Sequence, residues 1–65
     1  MVTINGKEYD INGITLAEYL KTTNYDIKRI AVELNGDIVP KASYSATVLL
    51  GGDRVEIVSF VGGGT

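Results

Sequence analysis

The chain has 65 residues, 45% of them hydrophobic, enough for one compact domain with a modest core. It contains no cysteine and no histidine, so disulfides, cysteine nucleophiles, thiolate metal sites and imidazole acid–base chemistry are excluded on the chain itself; neither a resident metal nor a self-contained enzyme is expected. Six Lys and Arg against eight Asp and Glu leave a formal charge of −2, without the positive field that phosphate-backbone binding needs, and nucleic acid is not an expected partner.

Val2 and Ile4 alternate with Thr3 and Asn5, and Asn5-Gly6 then offers two residues that tolerate positive φ, as a tight hairpin turn requires. The opening turns polar at once, and no apolar run approaches the ~18 residues of a membrane span, so a soluble, cytoplasmic chain without a membrane partner is expected. Lys7 to Ile11 reads as the returning strand, with Tyr9 and Ile11 as its apolar positions and Lys7, Glu8 and Asp10 left to water. Asn12-Gly13 breaks the pattern. Thr15-Leu16-Ala17-Glu18 then matches a capping box, with Ile14 and Tyr19 placed for a hydrophobic staple. Leu16, Tyr19, Leu20 and Thr23 share one face of a helix expected from Leu16 to Thr23, with Asn24 as its stop.

Ile30, Val32 and Leu34 alternate with Ala31 and Glu33, and a second Asn-Gly pair at Asn35-Gly36 leads into Ile38-Val39. Pro40 ends that strand or confines it to an edge, since proline cannot donate to a ladder. Tyr44 is expected to anchor an irregular segment. Gly51-Gly52-Asp53 turns the chain into the longest strand-like run, Arg54 to Val61. An early hairpin, one helix of about two turns and a later set of two or three strands argue for an α+β fold of the β-grasp outline, a mixed sheet of about five strands with the main helix on one face. In that arrangement the first and last strands are central parallel neighbours.

Two stretches carry a family resemblance. Asp53-Arg54-Val55-Glu56-Ile57-Val58-Ser59-Phe60-Val61-Gly62-Gly63-Gly64 resembles the ending of the ThiS sulfur carriers of thiamine biosynthesis, which are ubiquitin-like β-grasp proteins, and Asn35-Gly36-Asp37-Ile38-Val39-Pro40 resembles their middle segment. With the opening Asn5-Gly6 and the length, the similarity covers nearly the whole chain. It implies residues 1–61 as the β-grasp domain and residues 62–65 as a flexible glycine tail made of Gly62, Gly63 and Gly64 with Thr65 beyond. It also implies that an E1-like adenylating enzyme uses ATP to activate the Gly64 carboxylate. Sulfur from a donor protein then replaces AMP to make a thiocarboxylate, and thiazole synthase consumes it. The carrier itself binds no cofactor and supplies a cosubstrate rather than a catalyst.

The residues support parts of this independently. Glycine has no side chain, so a glycine run can pass through a narrow channel to a distant site. Strand alternation puts Val55 and Ile57 toward the core and leaves Glu56, Val58 and Phe60, with Val61 beyond them, as expected partner-binding residues. Arg54 and Lys41 read as solvated charges. One departure stands out: the family pattern ends at the glycines, whereas Thr65 follows Gly64 here, as a residue to be trimmed, a tolerated terminal variant or a modified chain end. Two other functions share these features: a related carrier in molybdopterin synthesis or another sulfur pathway, and a β-grasp binding module whose tail never reacts.

Overall fold

A computed structural model describes residues 1–60. Val2–Ile4 (β1) and Lys7–Tyr9 (β2) form the first hairpin, with Asn5 at φ 50° and Gly6 at φ 83° in the turn between them. These are the positive angles that the right-handed twist of a two-residue hairpin demands. Ile14–Thr15 (β3) runs directly into the helix Leu16–Lys21 (α1). Ile30–Leu34 (β4) and Asp37–Val39 (β5) make a second hairpin about Asn35 (φ 53°) and Gly36 (φ 90°). Val48–Leu49 (β6) and Arg54–Ser59 (β7) complete the described chain.

The main sheet has the strand order β2-β1-β7-β4-β5. β1 and β7 are parallel and lie at its centre, with Thr3 opposite Arg54 and Ile4 opposite Val55, while every other pairing in the sheet is antiparallel. The β-grasp expectation of a five-stranded mixed sheet with one helix on its face is met. That helix lays Leu16 and Leu20 onto the inward residues Val2, Ile4, Ile30, Val32, Val55 and Ile57, and Tyr44 and Leu49 close the same core from the connecting segments. Tyr44 is thus the anchor that its position suggested.

Four details differ from the sequence expectation. The last strand ends at Ser59 and does not take in Phe60. The second strand stops at Tyr9 and not at Ile11, because the Ile11 N–H turns back to donate to the Tyr9 carbonyl at 2.9 Å. Register pairs Tyr9 with the buried Val2, which puts its ring on the helix side, edge-on to Tyr19 at 6.2 Å. The helix ends at Lys21, two residues early and before Asn24 is reached. The Thr22 and Thr23 hydroxyls donate to the carbonyls of Tyr19 and Leu20, both at 2.7 Å, and these residues' amides bond the same two carbonyls in three-residue turns. A second, two-stranded sheet, β3 with β6, pairs Ile14 with Leu49 and Thr15 with Val48. It was not foreseen, since two-residue strands carry no periodicity.

Candidate functional site

β7 is the element on which the functional expectation rests, and its two faces are chemically distinct. Val55 and Ile57 are buried. Val58 and Phe60 are 58% and 52% exposed, and Glu56 lies in water with them. The expected inward and outward sides are therefore the observed ones. Cross-strand register extends the outer face: Ala31 lies opposite Val58, Glu33 opposite Glu56, and Ile38 opposite Glu33. Ile38 is 64% exposed. The outward surface thus combines apolar Val58, Phe60, Ile38 and Ala31 with two carboxylates placed side by side.

That carboxylate pair is unusual within a sheet, because like charges directly opposite one another destabilise the pairing. The ion pair among the described residues lies elsewhere, between Arg29 Nε and Asp26 at 3.5 Å, with both side chains largely in water. Arg54 shares the outer face of β7 but is not bonded to either glutamate. Lys41, read from sequence as a solvated charge, is exposed and also donates from Nζ to the Ile30 carbonyl at 3.2 Å.

Both ends of β7 are fastened by side chains from the Asn-Gly turns, a role that sequence reading did not assign to them. At the start of the strand, the Arg54 N–H donates to Asn35 Oδ1 at 2.9 Å and Asn35 Nδ2 donates to Asp53 Oδ1 at 3.0 Å. Further along, the Ile57 N–H donates to Asn5 Oδ1 at 2.7 Å and Asn5 Nδ2 donates to the Ile57 carbonyl at 3.1 Å. The strand ends with the Phe60 N–H donating to the Arg29 carbonyl at 2.7 Å. An open hollow lined by Asn35, Gly36, Gly52 and Arg54 lies at the other end of β7, about 20 Å from Phe60 at the usual rise per strand residue.

Among the described residues, no group of three or more His, Cys, Asp or Glu side chains is placed to hold a metal ion, and no helix is long and apolar enough to cross a membrane. Burial pushes the Tyr44 phenol above its ordinary range. Tyr19 is raised as well, by burial first and then by the neighbouring Tyr9 and Tyr25. Neither tyrosine is on the outer face. Val61, Gly62, Gly63 and Gly64, expected as the last contact and the reacting tail, lie with Thr65 outside the described residues.

Comparison with known proteins agrees with this architecture. The ThiS family model matches residues 2–64. A thiazole synthase of Paramagnetospirillum magneticum is 40% identical over 65 residues that cover 98% of this chain, but the chain spans only about a fifth of that protein's length. The sulfur carrier protein ThiS of Bacillus subtilis is 35% identical over 66 residues, covering 98% of this chain and 100% of its own. Among solved structures, the thiamine biosynthesis protein ThiS of Geobacter metallireducens superposes with a TM-score of 0.79 at 33% identity, covering 97% of both chains. A match that runs from the first strand to the last glycine, on a sheet of the same fold, is a match of the whole unit: the chain belongs to the ThiS family.

Proposed function

We propose that this chain is a sulfur carrier that supplies sulfur for thiazole formation in thiamine biosynthesis, with the Gly64 carboxylate as the acceptor. The observation that carries the reading is the family match through residue 64, which takes in the glycine run together with the strand that leads to it. Similarity to a thiazole synthase supports that enzyme class as the consumer of the sulfur. The exposed Glu56, Val58 and Phe60 supply a docking surface beside the tail, where apolar side chains left in water gain most from a partner.

The chemistry divides one hard acyl transfer into two easier ones. A free carboxylate is a poor acylating group. In an E1-like enzyme its oxygen attacks the α-phosphorus of ATP, pyrophosphate leaves, and the resulting mixed anhydride carries AMP as a good leaving group. Sulfur held as a persulfide on a donor protein then attacks the carbonyl carbon and AMP departs, which leaves an acyl disulfide to the donor; a second thiol attacks the donor sulfur, forming a disulfide with it and releasing the thiocarboxylate. The activating enzyme uses the ATP. The carrier contributes the carboxylate, the docking face and the reach of a glycine segment that fits where a side chain would not.

The test compares the full chain, a chain lacking Thr65 and a chain lacking Gly63 through Thr65 in an assay with ATP and the cognate activating enzyme. Removing Thr65 is expected to preserve or increase pyrophosphate release, because it places the Gly64 carboxylate at the end. Removing all three residues is expected to abolish it. Robust activation of the shortest chain would sink the tail mechanism, and activation of the full chain alone would make Thr65 part of the functional terminus.

A further inference from the structure

We infer that Asn5 is the positioning residue that holds the outgoing end of β7 and so fixes the described end of the strand that leads to the acceptor segment; the inference rests on the carrier reading above. β7 outruns its parallel neighbour. β1 ends at Ile4, level with Val55, whereas β7 continues to Ser59. Backbone groups alternate sides along a strand, and the bonds from Arg54 and Phe60 to the β4 side place those of Val55, Ile57 and Ser59 on the β1 side. The last backbone rung there is the Asn5 N–H donating to the Val55 carbonyl at 2.9 Å, after which the chain turns away at Gly6.

The Asn5 side chain supplies the next rung. A primary amide carries a donor and an acceptor side by side, as a peptide group does, so it can satisfy both backbone groups of one strand residue. Asn5 does this for Ile57, with bonds of 2.7 and 3.1 Å, and the Tyr25 hydroxyl lies within 3.4 Å of the same nitrogen. Asparagine is suited to both tasks, since it tolerates the φ of 50° that the turn imposes. Aspartate would lose the donor. Beyond Ile57 the described strand is held from the β4 side alone, through residues ending in the Phe60 bond to Arg29. Among the described residues, Asn5 is the last side-chain hold on the β1 side of β7.

The molecule contains its own control. Asn35 occupies the same place in the second Asn-Gly turn, at φ 53°, and its amide pins the opposite end of β7. Glycine accepts a positive φ, so Asn5→Gly and Asn35→Gly each remove an amide latch while leaving the turn intact. Both variants, as full-length chains, are compared by amide hydrogen exchange at Phe60 and by carrier-dependent pyrophosphate release with the cognate activating enzyme over a range of carrier concentrations.

Asn5→Gly is expected to speed Phe60 exchange and to raise the half-saturating carrier concentration, each by about tenfold if a net hydrogen bond or so is lost, with little change in maximal rate. Asn35→Gly is expected to lower the melting temperature comparably while leaving both readings near wild type. Equal effects of the two variants would reduce Asn5 to general stability and overturn the positioning role, as would unaltered Phe60 protection in Asn5→Gly. Absence of pyrophosphate release from the wild-type chain both with and without Thr65 would instead overturn the carrier reading and the aiming role with it, while Phe60 exchange would still decide whether Asn5 holds the strand end.

Discussion

Val55 and Val58 are the same residue type, three positions apart on one strand, and opposite outcomes are expected from the same substitution. Val55→Asp or Ile57→Asp would put a carboxylate where no partner waits, at a cost of several kcal/mol, about 3 or more, and is expected to unfold much of the population. Val58→Asp or Phe60→Asp would leave stability within about 0.5 kcal/mol and weaken partner binding. Thermal melts set beside binding measurements check this, and equal destabilisation at all four positions would contradict the two-faced strand. Tyr44 makes a different prediction. Its phenol is raised above the ordinary 10.0 by burial, so the folded state favours the neutral form; that stability is fully present below the unfolded value and is lost as pH rises through the folded one. Tyr44→Phe is expected to flatten the fall in melting temperature above about pH 10, and an unchanged slope would assign that fall to other groups. At this scale the sequence was legible where alternation governs, as along Val55 to Phe60. It was silent on Asn5, because an Asn-Gly pair announces only a turn, whereas this amide reaches a strand 52 residues away.

The helix shows which signals survive at the scale of an element. Thr15 Oγ accepts from the Glu18 N–H at 3.0 Å, and the Thr15 N–H donates to Glu18 Oε1 at 2.8 Å, the reciprocal pair that the spacing of Thr15 and Glu18 foretold. Thr15→Ala is expected to lower stability by about 1 kcal/mol, read as a shift in denaturant midpoint with unchanged slope. A helix of six residues has little propensity to spare and depends on Leu16 and Leu20 meeting the sheet. Its far end was less legible, since Thr22 and Thr23 are compatible with a further turn until their hydroxyls bond the preceding carbonyls. β3 and β6 were hidden for another reason: a pairing of two residues with two is specified by the distant partner, Leu49 against Ile14, and not by any local pattern.

Across the whole molecule, the central parallel pairing of the first and last strands followed from the sequence once the early hairpin, the helix and the long last strand were recognised, whereas the place of β4 on the other side of β7 did not. The outer face was only partly legible. Alternation exposed Val58 and Phe60, but joining them to Ile38 and the Glu33–Glu56 pair required the register of three strands. Among the described residues, none of the buried core lies beyond Ile57. A chain lacking Gly63 through Thr65 is accordingly expected to melt within a few degrees of the full chain, with far-ultraviolet ellipticity and tyrosine fluorescence reporting one coincident transition. Separate transitions would mean that the two hairpins fold independently of each other.

The central place of β7 has a kinetic consequence. Without it the sheet is two detached hairpins, β1 with β2 and β4 with β5, and an isolated hairpin is marginal in water. Neither can be joined to the other until a strand drawn from the far end of the sequence enters between them, so most of the loop-closure entropy is spent before the main reward arrives. Folding is therefore expected to be slow for so short a chain. The β7 pairings would complete the sheet in the same step that orders Phe60 against Arg29, so the strand that leads to the acceptor segment would be set in place only as the domain itself becomes whole.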